Sequence, residues 1–391
     1  MHCGKGVGFF FMFAHVGAGT CACGGYSMPD PRQENKSLLF AESLSTDFSA
    51  IRDVSQSADW VRQEFNVSAE AGRGRFGKSF LPDNVFLLPQ EDVAAGKGTA
   101  RHGQTVMALR VASRLTESGA VTSAEMDTSR RDLFWGSFRA MMKLARVAGT
   151  CAAFFWPCQR GRADTMQYMN DTQEIDMEFL SREFDVGNRV FPVNLVVHSW
   201  KSLRDGYDAS KSGTLKRVNL AFDPTDDFHE YRFDYLPGLV TFYADGKQIA
   251  ELTGSDVPSS GGHLILQHWS NGNPTWSGGP PSSDAVALVR YVKAYFNSSN
   301  PNHHQDAQGQ EGVCRASNDA SRNMCPIPEG NSTDNGQGDQ ASPPDDGAGG
   351  RSQENDDDDD GGSSDESDAA RPPAMRWIWL VAIGMMGVTD G

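Results

Sequence analysis

The stretch from Gln173 to Phe179, which reads QEIDMEF, constrains the fold most strongly because acidic and apolar residues alternate along it. Successive side chains of a β-strand point to opposite faces of its sheet, so Glu174, Asp176 and Glu178 share one face and the apolar residues between them share the other. Three like charges on one strand face repel each other, which favours a cleft that uses the charge. The alternative is a half-solvated strand, in which the same alternation is common.

The spacing of the two glutamates fits a known arrangement of catalytic carboxylates. Four residues of strand separate the backbones of Glu174 and Glu178 by roughly 13 Å. Side chains that lean toward each other on a bent sheet would approach the roughly 5 Å at which retaining glycosidases hold a nucleophile and an acid/base. Asp176 lies between them and would keep their pKa values apart, as the two roles require.

A longer run around this stretch resembles glycoside hydrolase family 16. The motif E-I-D-x-E lies within Asn170 to Asp185, and the resemblance continues through FPVNLVVHSW, FHEYRFDYLPGLVTFYADGKQIAEL, GGHLILQHWSNGNPTWSGGPP and YVKAYFNSS. The chain is similar to fungal-type secreted members of this concanavalin A-like superfamily over roughly Cys21 to Ser299. The resemblance implies a two-sheet β-jelly roll in which Glu174 is the nucleophile, Asp176 assists it and Glu178 is the general acid/base.

The remainder of residues 21–299 also predicts an all-β fold. From Leu38 to Leu144, short apolar runs alternate with Gly, Pro, Asp and Asn, which is typical of a sandwich. Aromatic residues alternate with charged ones from His229 to Tyr235, the pair Asp245-Gly246 predicts a tight hairpin, and Leu288 to Phe296 predicts a buried closing strand. We therefore predict a two-sheet antiparallel β-jelly roll sandwich.

Residues that bind a sugar should combine flat apolar rings with hydrogen-bonding groups. The polar, glycine-rich segment 268–281 contains two tryptophans, and at least one of them is expected to line the cleft; the alternative is packing beneath the loop. Three further candidates lie next to predicted strands. The full set of predicted substrate-binding residues is Trp269, Trp276, Trp156, His198 and Trp135.

Glu125 and Asp127 form a second alternating acidic pair in SAEMDTS. The family resemblance places them in a strand ahead of the core sheet. A structural role is therefore expected for both residues.

The N-terminal residues predict secretion. Lys5 precedes an apolar run from Val7 to Ala18 and small residues follow, so residues 1–20 are predicted to be a signal peptide rather than a buried N-terminal helix or strand. In an oxidising compartment the remaining cysteines are candidates for disulfides, and the sequence does not choose among their pairings. These cysteines are Cys21, Cys23, Cys151, Cys158, Cys314 and Cys325. Five N-x-S/T sequons also favour an extracellular glycoprotein, at Asn35, Asn66, Asn170, Asn297 and Asn331.

The C-terminal part differs in composition from the rest. Residues 301–391 contain 18 Asp and Glu against 5 Lys and Arg, which accounts for most of the net charge of −16. Residues 300–373 have almost no aromatic or β-branched residues and are predicted to be a disordered acidic tail. The short apolar segment in 374–391 is too short to span a bilayer and resembles a GPI-attachment signal.

Residues 157–167 interrupt the match to the family between AAFFW and NDTQEID. The segment is either a surface loop or an unspliced stretch carried into the translated sequence, and we favour the second interpretation. Because it contains proline, glycine and charged residues, it is expected to leave the buried strand.

Together these features predict a secreted retaining endo-glycosidase that hydrolyses O-glycosyl bonds of cell-wall β-glucan, with β-1,3 or mixed β-1,3/1,4 linkages. A cell-wall transglycosylase, with glucan or chitin as acceptor, and a non-catalytic carbohydrate-binding protein remain alternatives. No cofactor or metal site is predicted, because the paired cysteine spacing of a zinc site is absent from the sequence. No basic patch suggests a nucleic-acid partner.

Overall fold

Twenty strands and two short helices make up most of the regular structure in this computed structural model, which describes residues 23–89, 104–158, 173–204, 209–300 and 324–328. The first ten strands are β1 (Gly25–Pro29), β2 (Ser37–Phe40), β3 (Glu42–Asp47), β4 (Trp60–Arg62), β5 (Phe65–Val67), β6 (Gly77–Phe80), β7 (Val85–Pro89), β8 (Thr105–Val111), β9 (Ala120–Thr128) and β10 (Leu133–Lys143). The other ten are β11 (Cys151–Pro157), β12 (Gln173–Leu180), β13 (Pro192–Ser199), β14 (Leu215–Asn219), β15 (His229–Leu236), β16 (Leu239–Ala244), β17 (Lys247–Thr253), β18 (Ile265–Trp269), β19 (Ala285–Ser298) and β20 (Met324–Pro326). The helices are α1 (Trp200–Arg204) and α2 (Ala209–Ser212), and 3-10 turns cover Val54–Gln56, Pro82–Asn84 and Ser181–Glu183.

The strands form two large sheets and one small one. The nine-stranded sheet has the order β14-β13-β12-β11-β18-β9-β6-β5, with β4 also paired to β9. The eight-stranded sheet has the order β17-β16-β15-β10-β19-β8-β7, with β3 also paired to β19. The small sheet has the order β2-β1-β20. Neighbours are antiparallel except for the parallel pairs β6/β9 and β1/β20, so the predicted all-β jelly roll is confirmed.

The main core lies between the two large sheets. Ile175, Met177 and Phe179 of β12 are at most 1% exposed and belong to this core, as the alternation predicted. The ring centroid of Phe179 lies 4.6 Å from that of Tyr231 on β15, which presents its predicted aromatic face from the opposite sheet. The carboxylates of β12 consequently point away from the core.

The predicted hairpin and closing strand are both present. Asp245 and Gly246 have φ angles of 47° and 73° and join β16 to β17, as a two-residue turn of the primed type requires. The closing strand β19 extends over 14 residues and pairs with β10, β8 and β3. It therefore ties the eight-stranded sheet together.

The C-terminal boundary predicted at residue 299 needs a correction, because residues 324–328 pack on the sandwich. Cys325 forms a disulfide with Cys23, and β20 pairs in parallel with β1. Ile327 is 4% exposed in a small core cluster, and the Pro328 carbonyl accepts a hydrogen bond of 2.6 Å from Arg139. The composition of the residues on either side gave no indication of this packed five-residue apolar segment, residues 324–328, which we call the strap.

The expectation that the chain leaves the buried strand at Pro157 is also wrong. Pro157 pairs with Glu174 at the end of β11, and the amide of Cys158 donates to the Gln173 carbonyl at 2.8 Å. On the other side β18 begins only at Ile265, opposite Phe155, so the missing N–H of proline interrupts no ladder bond with β18. Both residues are buried, and the described backbone pairing between the two segments reaches Cys158 and Gln173.

Several predictions lie outside the described residues: the signal peptide, Cys21, Cys314, Asn170, Asn331, residues 159–167 and the apolar segment in 374–391. In the described part of the chain, no helix combines the length and the apolar character needed to cross a membrane.

Candidate active site

The acidic residues of β12 form the centre of the site. Glu174, Asp176 and Glu178 lie on the face of the nine-stranded sheet that points away from the core. Glu174 and Glu178 are partly exposed, whereas Asp176 is only 4% exposed. Because β12 is paired on both sides, by β11 and β13, the backbone that carries these side chains is held on both edges.

His198 joins the Glu174 end of this row. It lies directly opposite Glu174 in β13, and its Nε2 is 3.6 Å from Oδ2 of Asp176. Burial lowers the pKa of His198 to about 4, so the imidazole is neutral near neutral pH. One ligand atom from each of Glu174, Asp176 and His198 lies within 4.8 Å of the others, so these residues are a set able to hold a cation.

Glu178 has a different environment at the other end of the row. Trp276 Nε1 donates to its Oε1 at 3.4 Å, and Cys151 Sγ donates to the same oxygen at 3.5 Å. Burial raises the pKa of the Glu178 carboxyl, while the two donors and the nearby charges of Lys78 and Arg73 partly oppose that rise. A general acid needs a carboxyl that stays protonated above its ordinary pKa, which this environment favours.

Arg73 belongs to a loop that the sequence did not mark as part of the site. Its φ of 54° is unusual for a residue other than glycine. The loop is fastened to residues 271–273: the side-chain amide of Asn271 donates to the Gly72 carbonyl at 2.7 Å, and that of Asn273 to the Arg73 carbonyl at 3.0 Å. The Arg73 charge opposes the rise in the pKa of Glu178 and contributes to the lowered pKa of His198.

Lys78 of β6 is the second cation that sequence reasoning missed. Its Nζ lies 4.3 Å from the ring centroid of Trp269, and burial lowers the pKa of its ammonium group. Trp269 is only 8% exposed and packs with Cys151 and Leu180, so its ring is not an open sugar platform. Of the two loop tryptophans, Trp276 is the one that is partly exposed and contacts an acidic residue of β12.

Two predicted substrate-binding residues do not lie on this face. Trp156 is fully buried in the main core, and its indole donates to the Leu133 carbonyl at 3.2 Å. Trp135 belongs to β10 in the opposite sheet and packs against the core and Phe134. The prediction for Trp156 is wrong because strand alternation puts Phe155 on the outer face and Trp156 on the inner one. The prediction for Trp135 is wrong because β10 belongs to the eight-stranded sheet, opposite the one that carries the acidic row.

The second acidic pair belongs to the same sheet face, which corrects its predicted placement ahead of the core sheet. Across neighbouring strands, Glu178 is in register with Ala153, Ala153 with Gln267, and Gln267 with Glu125. Glu125 is 1% exposed and accepts a hydrogen bond from the Gln267 amide. Burial and the neighbouring Asp127 raise the pKa of Glu125 well above its usual range, and burial raises that of Asp127 to about 7.

The arrangement therefore offers two partly exposed carboxyls in unlike surroundings. Glu174 lies near a neutral imidazole, whereas Glu178 is desolvated and accepts two hydrogen bonds on one oxygen. One carboxyl available for attack and one that retains its proton are the requirements for acid-assisted displacement at an acetal carbon.

Curated proteins of known name are similar to part of this chain. A β-glucanase from Acetivibrio thermocellus is 29% identical over 165 residues, which cover 42% of this chain and 43% of that protein. A probable xyloglucan endotransglucosylase/hydrolase protein 27 from Arabidopsis thaliana is 29% identical over 147 residues, covering 37% of this chain and 38% of that protein. The chain thus spans about two fifths of the length of these curated relatives.

Among solved structures, an endo-β-1,3-glucanase from Pyrococcus furiosus is similar with a TM-score of 0.47 and 18% identity, over 67% of this chain and 96% of that one. The sequence model of Glycosyl hydrolases family 16 matches residues 90–286, which make up half of the 391 residues. The chain therefore belongs to glycosyl hydrolases family 16.

Proposed function

We propose that this protein is a secreted, retaining endo-glycosidase that hydrolyses cell-wall β-glucan with β-1,3 or mixed β-1,3/1,4 linkages. The observation that carries the proposal is the row of Glu174, Asp176 and Glu178 on one outer sheet face, with Glu178 in surroundings whose desolvation raises its pKa. The names of the curated relatives, which include β-glucanases, support the substrate class.

In the proposed mechanism, Glu178 protonates the glycosidic oxygen while a carboxylate oxygen of Glu174 attacks the anomeric carbon. The electrons of the broken C–O bond remain with the departing sugar oxygen, and a covalent glycosyl-enzyme forms. Water then gives its proton to Glu178 and attacks the same carbon, which releases Glu174 and restores both carboxyls. Asp176, beside the neutral His198, steadies the position and charge of Glu174.

Several features support export through an oxidising compartment. The disulfide between Cys23 and Cys325 is of the kind that persists outside the cytosol. Asn35 and Asn66, which belong to two of the sequons, are exposed and accessible to glycosylation. We propose location in the cell wall or the medium, with membrane attachment by a GPI anchor as the form to be tested by phospholipase C release.

The decisive experiment combines product analysis with matched carboxylate variants. The protein is incubated with laminarin and lichenan, and the anomeric configuration of the first products is followed by proton NMR; retention of the β configuration is expected. Glu174→Gln and Glu178→Gln should each lower kcat by several orders of magnitude while leaving the thermal midpoint nearly unchanged. Asp176→Asn should have a smaller effect on kcat.

Glu251→Gln is the matched control, because Glu251 is an exposed residue of β17 in the opposite sheet. It should keep full activity. Inverted products, or more than a tenth of the wild-type rate in either glutamate variant, would contradict the assignment. Binding of glucan without any turnover would instead identify a carbohydrate-binding protein.

A transglycosylase is the second candidate, and the similarity to the probable endotransglucosylase/hydrolase of Arabidopsis favours testing it. In that reaction a sugar hydroxyl replaces water in the second step, with the same two glutamates. Labelled glucan and chitin oligosaccharides are therefore added as acceptors, and products are separated by mass. Products longer than the donor would establish transfer, and chitin-linked products would identify the acceptor.

A further inference from the structure

We propose that Cys151 and Trp276 are positioning residues that fix which oxygen of Glu178 carries the catalytic proton, an inference that rests on the proposed glycosidase function. Both side chains donate to Oε1, at 3.5 and 3.4 Å, although they come from a strand and a loop more than a hundred residues apart. Both of these hydrogen bonds end on Oε1, and we therefore assign Oε2 as the oxygen that serves the reacting bond.

The chemistry of the donors determines where the proton lies. An indole N–H is a donor only, so an oxygen next to Trp276 Nε1 must supply a lone pair and is a poor place for a hydroxyl hydrogen. The thiol of Cys151 adds a second donor to the same oxygen. A protonated Glu178 therefore keeps its single O–H on Oε2, and the acid arrives at the substrate already oriented.

The fold holds both donors in place. Cys151 is the first residue of β11, fully buried, with Leu180 opposite on one side and Trp269 on the other. Trp276 lies in the turn after β18, where its backbone N–H donates to the Asn273 carbonyl at 3.1 Å. Neither side chain needs to move for the carboxyl of Glu178 to change its protonation state.

This arrangement serves both halves of the proposed reaction. In the first step the proton passes from Oε2 to the leaving oxygen, and the two donors stabilise the carboxylate that remains. In the second step water returns a proton to Oε2 as its oxygen bonds to the anomeric carbon and Glu174 departs. Oε2 thus gives up the proton and takes one back, while Oε1 keeps its two hydrogen bonds.

The competing explanation is that Cys151 and Trp276 only fill space beside Glu178. Loss of packing would lower stability or rate without changing the titration of Glu178. Loss of a donor to the carboxylate destabilises the charged form, so the pKa of Glu178 must rise. The other groups that face Glu178 stay unchanged in the test: Lys78 on β6, Arg73 in its loop, Glu174 and Asp176 on its own strand, and the neutral Asn194 on β13.

The test measures that titration directly and then the rate. The protein is labelled with glutamate carrying a carbon-13 side-chain carboxyl, and the Glu178 resonance is assigned by its loss in Glu178→Gln. Cys151→Ala and Trp276→Phe are each expected to raise the pKa by about one unit, and the basic limb of kcat/KM on lichenan should move upward equally. Cys151→Ser keeps a donor and should restore the wild-type value.

Two controls separate donor loss from general damage. Cys158→Ala removes a second buried cysteine side chain of the described residues, and Trp60→Phe removes an indole that donates to Thr46 at 2.9 Å. Neither residue touches Glu178, so neither variant should shift its titration. An unchanged pKa in both Cys151→Ala and Trp276→Phe, or an equal shift in the controls, overturns the inference.

Failure of the positioning role can be distinguished from failure of the proposed function. If the wild-type protein turns over glucan and the donor variants lose rate without a change in the pKa of Glu178, only the positioning role is contradicted. A wild-type protein with no turnover, or an active Glu178→Gln, removes the glycosidase proposal and the catalytic role of these donors with it.

Discussion

The disulfide between Cys23 and Cys325 should contribute strongly to stability, because it joins the two ends of the described fold. Its sequence separation is 302 residues. In the loop-entropy description, a crosslink of that length removes enough conformational freedom from the unfolded chain to contribute about 6 kcal/mol, while disulfides typically contribute about 2 to 4 kcal/mol. The double variant Cys23→Ala/Cys325→Ala should therefore lose about 3 kcal/mol of unfolding free energy.

Removing the whole strap should cost more than removing the crosslink. Truncation after residue 300 also deletes the pairing of β20 with β1 and exposes the pocket filled by Ile327. Burial of an isoleucine side chain contributes about 1.5 to 3 kcal/mol, so the expected total loss is about 5 kcal/mol. For a domain of this size each kcal/mol lowers the thermal midpoint by about 2 to 4 °C, which predicts a decrease of roughly 10 to 20 °C.

The assay compares thermal unfolding, followed by near-ultraviolet circular dichroism, for truncations after residue 300 and after residue 328. The longer form retains Cys325 and Ile327 and should keep the midpoint of the full chain, so it is the matched control. Reductant should lower the thermal midpoint of the longer form toward that of the shorter form. Equal midpoints for the two truncations, or a double cysteine variant as stable as the wild type, would refute the reasoning.

Three further predictions test the buried acids, the tryptophans and the interruption. Burial raises the pKa of Asp127 to about 7, so between about pH 4 and pH 7 the native state holds a proton that the unfolded state has released. The free energy of unfolding should therefore fall as the pH rises toward 7. Denaturant midpoints at pH 5 and pH 8 should show this fall, and Asp127→Asn should reduce it. Trp156→Ala should cost about 3 to 5 kcal/mol of stability, measured by denaturant unfolding, without a selective change in KM, because the ring is in the core. Deleting residues 159–167 should preserve or raise glucanase activity. A deletion that begins at Pro157 should lower it, because Pro157 and Cys158 complete the pairing of β11 with β12. Transcripts that always contain the segment would favour a genuine loop over an unspliced stretch.

Local pattern was sufficient to predict the faces of β12 and the hairpin at Asp245. Both depend on interactions between residues that are close in sequence: a period of two along a strand, and two residues that tolerate positive φ. The same rule explains the error at Trp156. An aromatic residue beside the site suggested sugar binding, but its alternation with Phe155 already assigns it to the inner face.

The groups that surround Glu178 were beyond the reach of local pattern. Lys78 precedes it by 100 residues, and Trp276 follows it by 98. The proximity of these groups to Glu178 depends on the sheet order, in which β18 lies between β11 and β9, and on the asparagines that hold the Arg73 loop. No short-range period encodes such contacts, because each of them is made by a side chain from another strand or loop.

The difference between the two glutamates is likewise a property of the assembled sheet. Within QEIDMEF, Glu174 and Glu178 are equivalent glutamates on one strand face, and only family resemblance assigned their roles. In the folded protein, desolvation raises the pKa of Glu178, while Cys151 and Trp276 occupy one of its oxygens. That environment suits a proton donor, and it supports the proposed role of Glu178 as the acid independently of resemblance. The proposed attacking role then falls to Glu174, the other partly exposed glutamate of β12, at the end of the row where the imidazole is neutral.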